Sequence, residues 1–289
     1  MINTSTWLHL RIPFSFFLLP VYLFALSISA SPHIYPAVLI FFILHLFLYP
    51  ASNGFNSYFD KDEKSIGGLK DPPKVSLQLY YTSLVFDLVA LLLSLFVNFY
   101  FLLSVLAYGL ASKAYSHPSI RLKKLPVAGW LVTGFFQGFV IFLACVQGIN
   151  QLPVHDLFQI PILFPAALST ILLWGSYPMT QIYQHDEDKK RGDITLSLKL
   201  GVNGTFVFTA LVFGLANAGF IYYYYTYYSL KYAIIFQLLL MPVLIFFLYW
   251  FTQVQRDPGK ANFQKAMQLN LISSLALNTI FSLFIFVPL

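Results

Sequence analysis

Hydrophobic positions in this chain come in long unbroken runs, with short polar interruptions between them. They show neither the alternation of a half-buried strand nor the single apolar stripe of a soluble amphipathic helix. Runs of about 20 apolar residues are long enough to cross a bilayer as helices, and a helix satisfies its own backbone there. Nine such spans are expected, at roughly 12–31, 35–59, 78–98, 100–116, 127–148, 157–183, 205–226, 231–253 and 265–287. The pattern predicts an all-α polytopic membrane protein in which residues 1–289 form a single membrane-embedded domain. Pro13 and Pro20 in the first span, with Pro161 and Pro165 in the sixth, predict kinks that shape an interior cavity. Small residues from Ser27 to Ser31 resemble a signal-cleavage site. The apolar run before them is too long for a signal core, so the first span is read as a retained helix.

Composition agrees: 58% of the 289 residues are hydrophobic, 10% are charged, and the mean hydropathy is +0.71. The charges fix an expected orientation. With nine spans, all of the 17 Lys and Arg residues except Lys231 fall on one side. The positive-inside rule makes that side cytoplasmic, with the N-terminus there and the C-terminus outside. The expected compartment is a bacterial plasma membrane. The net charge of +6 is therefore a topology signal, with no implication of nucleic-acid binding. The aromatic cluster Tyr222 to Tyr228 suits the opposite interface, and the single cysteine, Cys145, excludes an intrachain disulfide.

Two polar stretches interrupt this pattern at helix ends. In the first, Asn53, Asn56, Asp60 and Lys64 recur at helical spacing and lead out of the second span. In the second, Gln181, Gln184 and Asp188 repeat that spacing at the end of the sixth span, and a lysine again follows the aspartate. Polar groups near hydrocarbon are costly unless they face a polar cavity, so they read as functional; the alternative is a solvated loop that starts one turn early. The repeat suggests a duplication with halves at about 1–126 and 127–253, plus a last helix. A third cytoplasmic loop carries Lys113, Tyr115, Ser116, Arg121, Lys123 and Lys124. Carboxylates and amides suit Mg²⁺ shared with substrate phosphates, and Lys and Arg suit the remaining phosphate charge. An anionic head at the surface and an apolar tail in the bundle describe a polyisoprenyl diphosphate.

These stretches together resemble the UbiA superfamily of intramembrane prenyltransferases. Asn56, Asp60 and the position of Lys64 follow the family's Asn-x3-Asp-x3-Asp motif. Gln184, Asp188, Gly192, Thr195 and Gly201 follow its second motif, and Tyr115-Ser116 with the following lysines follows its stretch after the fourth helix. Lys64 and Gln184 depart from the pattern, each standing where the family has a carboxylate. The resemblance implies a nine-helix bundle around a central cavity and Mg²⁺-dependent ionisation of a prenyl diphosphate. A lipophilic acceptor, aromatic or quinone-precursor in kind, then captures the carbocation. It implies Asp60 and Asp188 as catalytic residues, with Asn56 and Gln184 beside them at the metal. Diphosphate binding is expected from Lys64, Lys70, Tyr115, Ser116, Lys123, Lys124, Lys189 and Arg191. Asn53, Asp62, Asp87 and Gln181 are possible cavity residues.

Other residues have two readings. Asp87, within the third span, either lines the acceptor cavity or is neutral and hydrogen-bonded inside the bundle. His45 is read as an interior hydrogen-bonding group and His185 as a loop histidine. Trp130, Phe135, Phe136 and Gln137 either shield a carbocation or pack. Two alternative functions share the scaffold: a terpene cyclase that needs no acceptor, and a non-catalytic lipid-binding or transport protein. Pyrophosphate release, with or without an acceptor, separates the three.

Overall fold

The computed structural model of the chain describes residues 2–286, and every regular element in them is helical. The elements are α1 (Thr4–Ser27), α2 (Ile34–Asp60), α3 (Leu77–Ser94), α4 (Phe99–Ser116), α5 (Pro126–Asn150), α6 (Ile160–Gln181), the short α7 (His185–Arg191), α8 (Leu196–Tyr227), α9 (Leu230–Arg256) and α10 (Phe263–Phe286). Among the described residues eight are long and apolar enough to cross a membrane; the expected span at 100–116 forms as α4 but is not one of them. Ser104, Ser112, Lys113 and Ser116 make α4 more polar than its neighbours. The end of the last expected span, residue 287, lies outside the described residues.

Breaks in the helices do most to position side chains. α1 starts at Thr4, well before the expected boundary, because the Asn3 side chain caps it by accepting from the Thr6 N–H at 2.7 Å. It then breaks at Arg11, which takes the left-handed conformation (φ 48°, ψ 45°), and continues through a 3₁₀ turn, Ile12–Phe17. Pro13, two residues on, supplies no N–H and stands at the start of that turn. Pro20 stands where helix resumes inside α1 after Leu18, and Pro161 at the start of α6, whereas Pro165, Pro178 and Pro242 lie inside helices. α2 and α5 each contain a π segment, at Ile43–Leu48 and Phe135–Val140, which rotates the residues that follow. α8 is interrupted at Gly201, whose φ of 70° needs a residue without a side chain.

Packing between spans relies on close approach, since lipid supplies no hydrophobic drive between helices. At Gly138, in the π segment of α5, an added Cβ would lie 2.6 Å from the Thr170 Cα of α6, so only glycine lets these backbones meet. The bundle's outer faces carry large apolar side chains such as Phe96, Leu211 and Leu238, each more than 60% exposed, as lipid contact requires. One end of the interior is filled by Phe24, Phe220, Phe236 and Phe281, with Phe24 stacked on Phe281 at 4.6 Å and Phe220 on Phe236 at 4.6 Å.

Candidate functional site

A cavity of about 510 Å³ opens inside the bundle. Along α10 its lining runs from Leu269 to Phe281, about 18 Å at 1.5 Å per residue. The four phenylalanines close its apolar end. The other end is polar, and the ends of α2 and α6, the loop after α4, and α7 converge there.

α2 stops at Asp60 because Lys61 turns left-handed (φ 53°, ψ 41°) and its N–H returns to the Ser57 carbonyl at 3.0 Å. This stop decides which acids enter the cavity. Asn53, Asn56 and Asp60 line it, as the helical spacing predicts, and Asp62 is turned back into it. Lys64 is sent outward: 59% of its side chain is exposed, and among the described residues it pairs with the still more exposed Asp186 at 3.7 Å. The expected Lys64–diphosphate contact is therefore not what this geometry presents. On the other side, α6 ends at Gln181 and α7 restarts with Gln184 as its N-cap, so Gln181, Gln184 and Asp188 all line the cavity without sharing one helix.

Tyr115, Ser116, Lys123 and Arg191 also line it. Lys70, Lys124 and Lys189 do not; their side chains are long enough to keep the ammonium in water, and all three residues are exposed. Asp87 also lies outside the lining and pairs instead with Lys113 at 2.5 Å, both half-buried, with the Lys113 ammonium over the Phe55 ring. Of the aromatic set, Phe136 and Gln137 face the cavity. Trp130 packs on Trp174 and donates to its carbonyl at 2.8 Å, and Phe135 stacks on Phe139. His45 is buried beside the Phe41 carbonyl (3.0 Å), and His185 meets the Ser197 hydroxyl at 2.8 Å.

Ionic contacts bind the polar end together. Asp60 accepts from Lys123 and from Arg121 (3.4 Å). Arg191 donates to Asp62, to Asp188 at 2.8 Å and to Asp193 at 3.2 Å. Asp193, only 1% exposed, accepts two bonds of 2.9 Å from Arg121. Asn56 donates to Ser116 at 3.0 Å, and the Tyr115 and Tyr177 hydroxyls are hydrogen-bonded to each other. Burial pushes the Asp188 carboxyl up to about 6, against the pull of Arg191 and Thr195. Burial, then the Asp60 charge, raises Asp62 despite Arg191. Burial would raise Asp193 too, but the Arg121 hydrogen bond and the surrounding cations hold it below the usual carboxylate range.

Sequence reasoning gave no site role to Asp193, Arg11 or Tyr177, and it named Arg121 only as one of the basic residues of its loop. Arg11 lines the cavity from the break in α1 and donates to the Gly67 carbonyl at 3.0 Å and the Asn53 carbonyl at 3.3 Å. The nearby Pro13 was the available signal for that break. Asp193 follows Gly192, whose φ of 72° ends α7, and a glycine stop between an arginine and an aspartate was the corresponding hint.

A profile of the UbiA prenyltransferase family matches residues 17–272. The chain belongs to that family. It is 26% identical over 193 residues to the digeranylgeranylglyceryl phosphate synthase of Methanocaldococcus jannaschii, a match spanning 65% of this chain and 64% of that protein. Its fold is similar to that of a UbiA homolog from Archaeoglobus fulgidus bound to GPP and Mg²⁺, with a TM-score of 0.70, 19% identity, and coverage of 98% and 99% of the two chains. It is also similar to the apo structure of a UbiA homolog from Aeropyrum pernix K1, with a TM-score of 0.73, 18% identity, and coverage of 94% and 98%. With these UbiA folds and its apolar helices, the protein is an integral membrane protein.

Among the described residues no three His, Cys, Asp or Glu side chains are grouped to hold a metal by themselves. Mg²⁺ commonly uses one or two carboxylates and completes its shell with substrate phosphates and water. Asp60 and Asp188, lining one cavity with Asn56, fit that use.

Proposed function

We propose that this UbiA family member transfers a prenyl group from an allylic prenyl diphosphate to a lipophilic acceptor, with Mg²⁺. The observation that carries the reading is the cavity's polarity: its charged side chains all lie at one end, and its far end is closed by phenylalanine. A diphosphate head suits the first and an isoprenoid tail the second. Lys123, Arg191 and Arg11 bind and orient the diphosphate, and Asp60, Asp188 and Asn56 would hold the metal. When bound, the metal neutralises charge on the departing pyrophosphate. The allylic C–O bond breaks with its electron pair going to pyrophosphate. The acceptor supplies the electrons for the new bond and loses a proton. Phe136, Tyr115 and Tyr177 line the cavity, where aromatic rings would stabilise the allylic cation.

Acceptors of aromatic or quinone-precursor type fit beside these rings. A second reading, an alcohol of the glycerol-lipid kind, is favoured by the Methanocaldococcus jannaschii relative, named a digeranylgeranylglyceryl phosphate synthase, and by the hydroxyls of Ser52, Ser112, Thr133 and Ser176 in the lining. The polar end faces the cytoplasm on charge grounds. The test is mass spectrometry of products formed by the purified protein from a panel of prenyl diphosphates and both acceptor classes, with pyrophosphate followed in parallel. Acceptor-dependent release is expected. Release without an acceptor would make it a cyclase, and no release from any allylic diphosphate would end the enzymatic reading.

A further inference from the structure

Every carboxylate at the cavity's polar end is already held by a cation of this chain. Lys123 and Arg121 hold Asp60. Arg191 spans Asp62, Asp188 and Asp193, and Arg121 and Lys123 complete the ring around Asp193. The formal charges balance. Asp60, Asp62, Asp188 and Asp193 carry four negatives; Arg121, Lys123 and Arg191, with Arg11 in electrostatic reach of Asp60 and Asp62, carry four positives. Two further carboxylates would tip the balance at the positions of Lys64 and Gln184. In this chain one of those side chains is cationic and turned outward, and the other is neutral and lines the cavity.

A neutral pocket exerts little pull on a free divalent cation, and Mg²⁺ gives up its water reluctantly. We propose that this lattice excludes free divalent cations, and that the diphosphate unlocks it. Diphosphate oxygens take over Lys123 and Arg191. Asp60 and Asp188, released from those partners, would then be free to hold a cation brought by the diphosphate. Binding is thereby ordered, with metal and diphosphate arriving together. The proposal rests on the prenyl diphosphate reading above, but its first half concerns only this chain's own charges.

The test uses Mn²⁺ as the probe, with free Mn²⁺ followed by its paramagnetic resonance signal in the detergent-solubilised full chain. Wild type alone should show no saturable uptake. Adding geranyl S-thiolodiphosphate, whose carbon–sulfur bond resists ionisation, should make uptake saturable beyond the Mn²⁺ that the same concentration of analogue binds without protein. Arg191→Gln strips Asp62 and Asp188 of their cation, and Gln184→Asp adds a carboxylate to the cavity. Either change makes the local charge one unit more negative, and each variant should show saturable Mn²⁺ uptake without the analogue, where wild type shows none. A gain of affinity is not a result that misfolding imitates. Equal Mn²⁺ affinity of wild type with and without the analogue would overturn the proposal, as would no gain in both variants. If the variants gain but the analogue leaves wild-type uptake unchanged, the proposal falls all the same; binding of the analogue itself to the chain, measured by equilibrium dialysis, tells that failure apart from failure of the diphosphate reading.

Discussion

Asp193 is the most heavily contacted carboxylate of the polar end, although it does not line the cavity. It accepts bonds of 2.9 Å from both Nε and Nη2 of Arg121 and one of 3.2 Å from Arg191, and the Lys123 ammonium stands 3.5 Å away. Its side chain is 0% exposed and that of Arg121 9%, so water cannot replace a lost partner. Removing one member of such a buried pair costs about 3–5 kcal/mol, most of it from the charge left behind. For a chain of this size that is a fall of roughly 6–20 °C in Tm for Asp193→Ala. Scanning calorimetry in detergent at a fixed scan rate reads it. Arg121→Ala alone should cost a similar amount. The double variant should cost less than the sum by about 1–3 kcal/mol, because neither charge is then orphaned. An Asp193→Ala protein melting within about 1 °C of wild type would refute the reasoning, as would strict additivity in the cycle.

Asp60→Ala and Asp188→Ala should each abolish pyrophosphate release while the protein still inserts, as measured by turnover and membrane fractionation. Lys64→Ala should be almost silent in turnover and substrate requirement, since an exposed pair such as Lys64–Asp186 is worth at most about 1 kcal/mol. For Asp188, a native carboxyl near 6 against about 3.9 unfolded means the native state binds the proton more tightly. Its contribution to stability is therefore fully present below about 4 and lost as pH rises through about 6. The Tm difference between wild type and Asp188→Asn should fall across that window and be flat above it. Asp87→Ala should lower Tm more than the Asp87→Ala/Lys113→Ala double variant, because the single change leaves an ammonium unpaired inside the bundle.

The two acidic sites show where a sequence stops being legible. Long apolar runs announce nine helices because hydrocarbon admits little else, and helical spacing correctly puts Asn53, Asn56 and Asp60 on one wall. The same rule fails one residue later. It presupposes that the helix continues, and Lys61 ends it with a positive φ that nothing in a lysine foretells. That single dihedral exchanges the roles of the next residues: Asp62 turns in to Arg191 and Lys64 turns out to water. Arg11 and Arg121 adopt the left-handed conformation too, and both deliver a guanidinium to the polar end from segments that pattern reading treats as loop. Spacing therefore sufficed to point to the family whose profile the chain matches. It did not reveal which cation neutralises which acid, because that depends on where each helix stops. Three non-glycine residues in left-handed geometry around one cavity carry strain that surrounding contacts must hold in place. Arg121 is held by Asp193 and Arg11 by two backbone carbonyls, so the lattice that balances the charge also fixes the turns that build it.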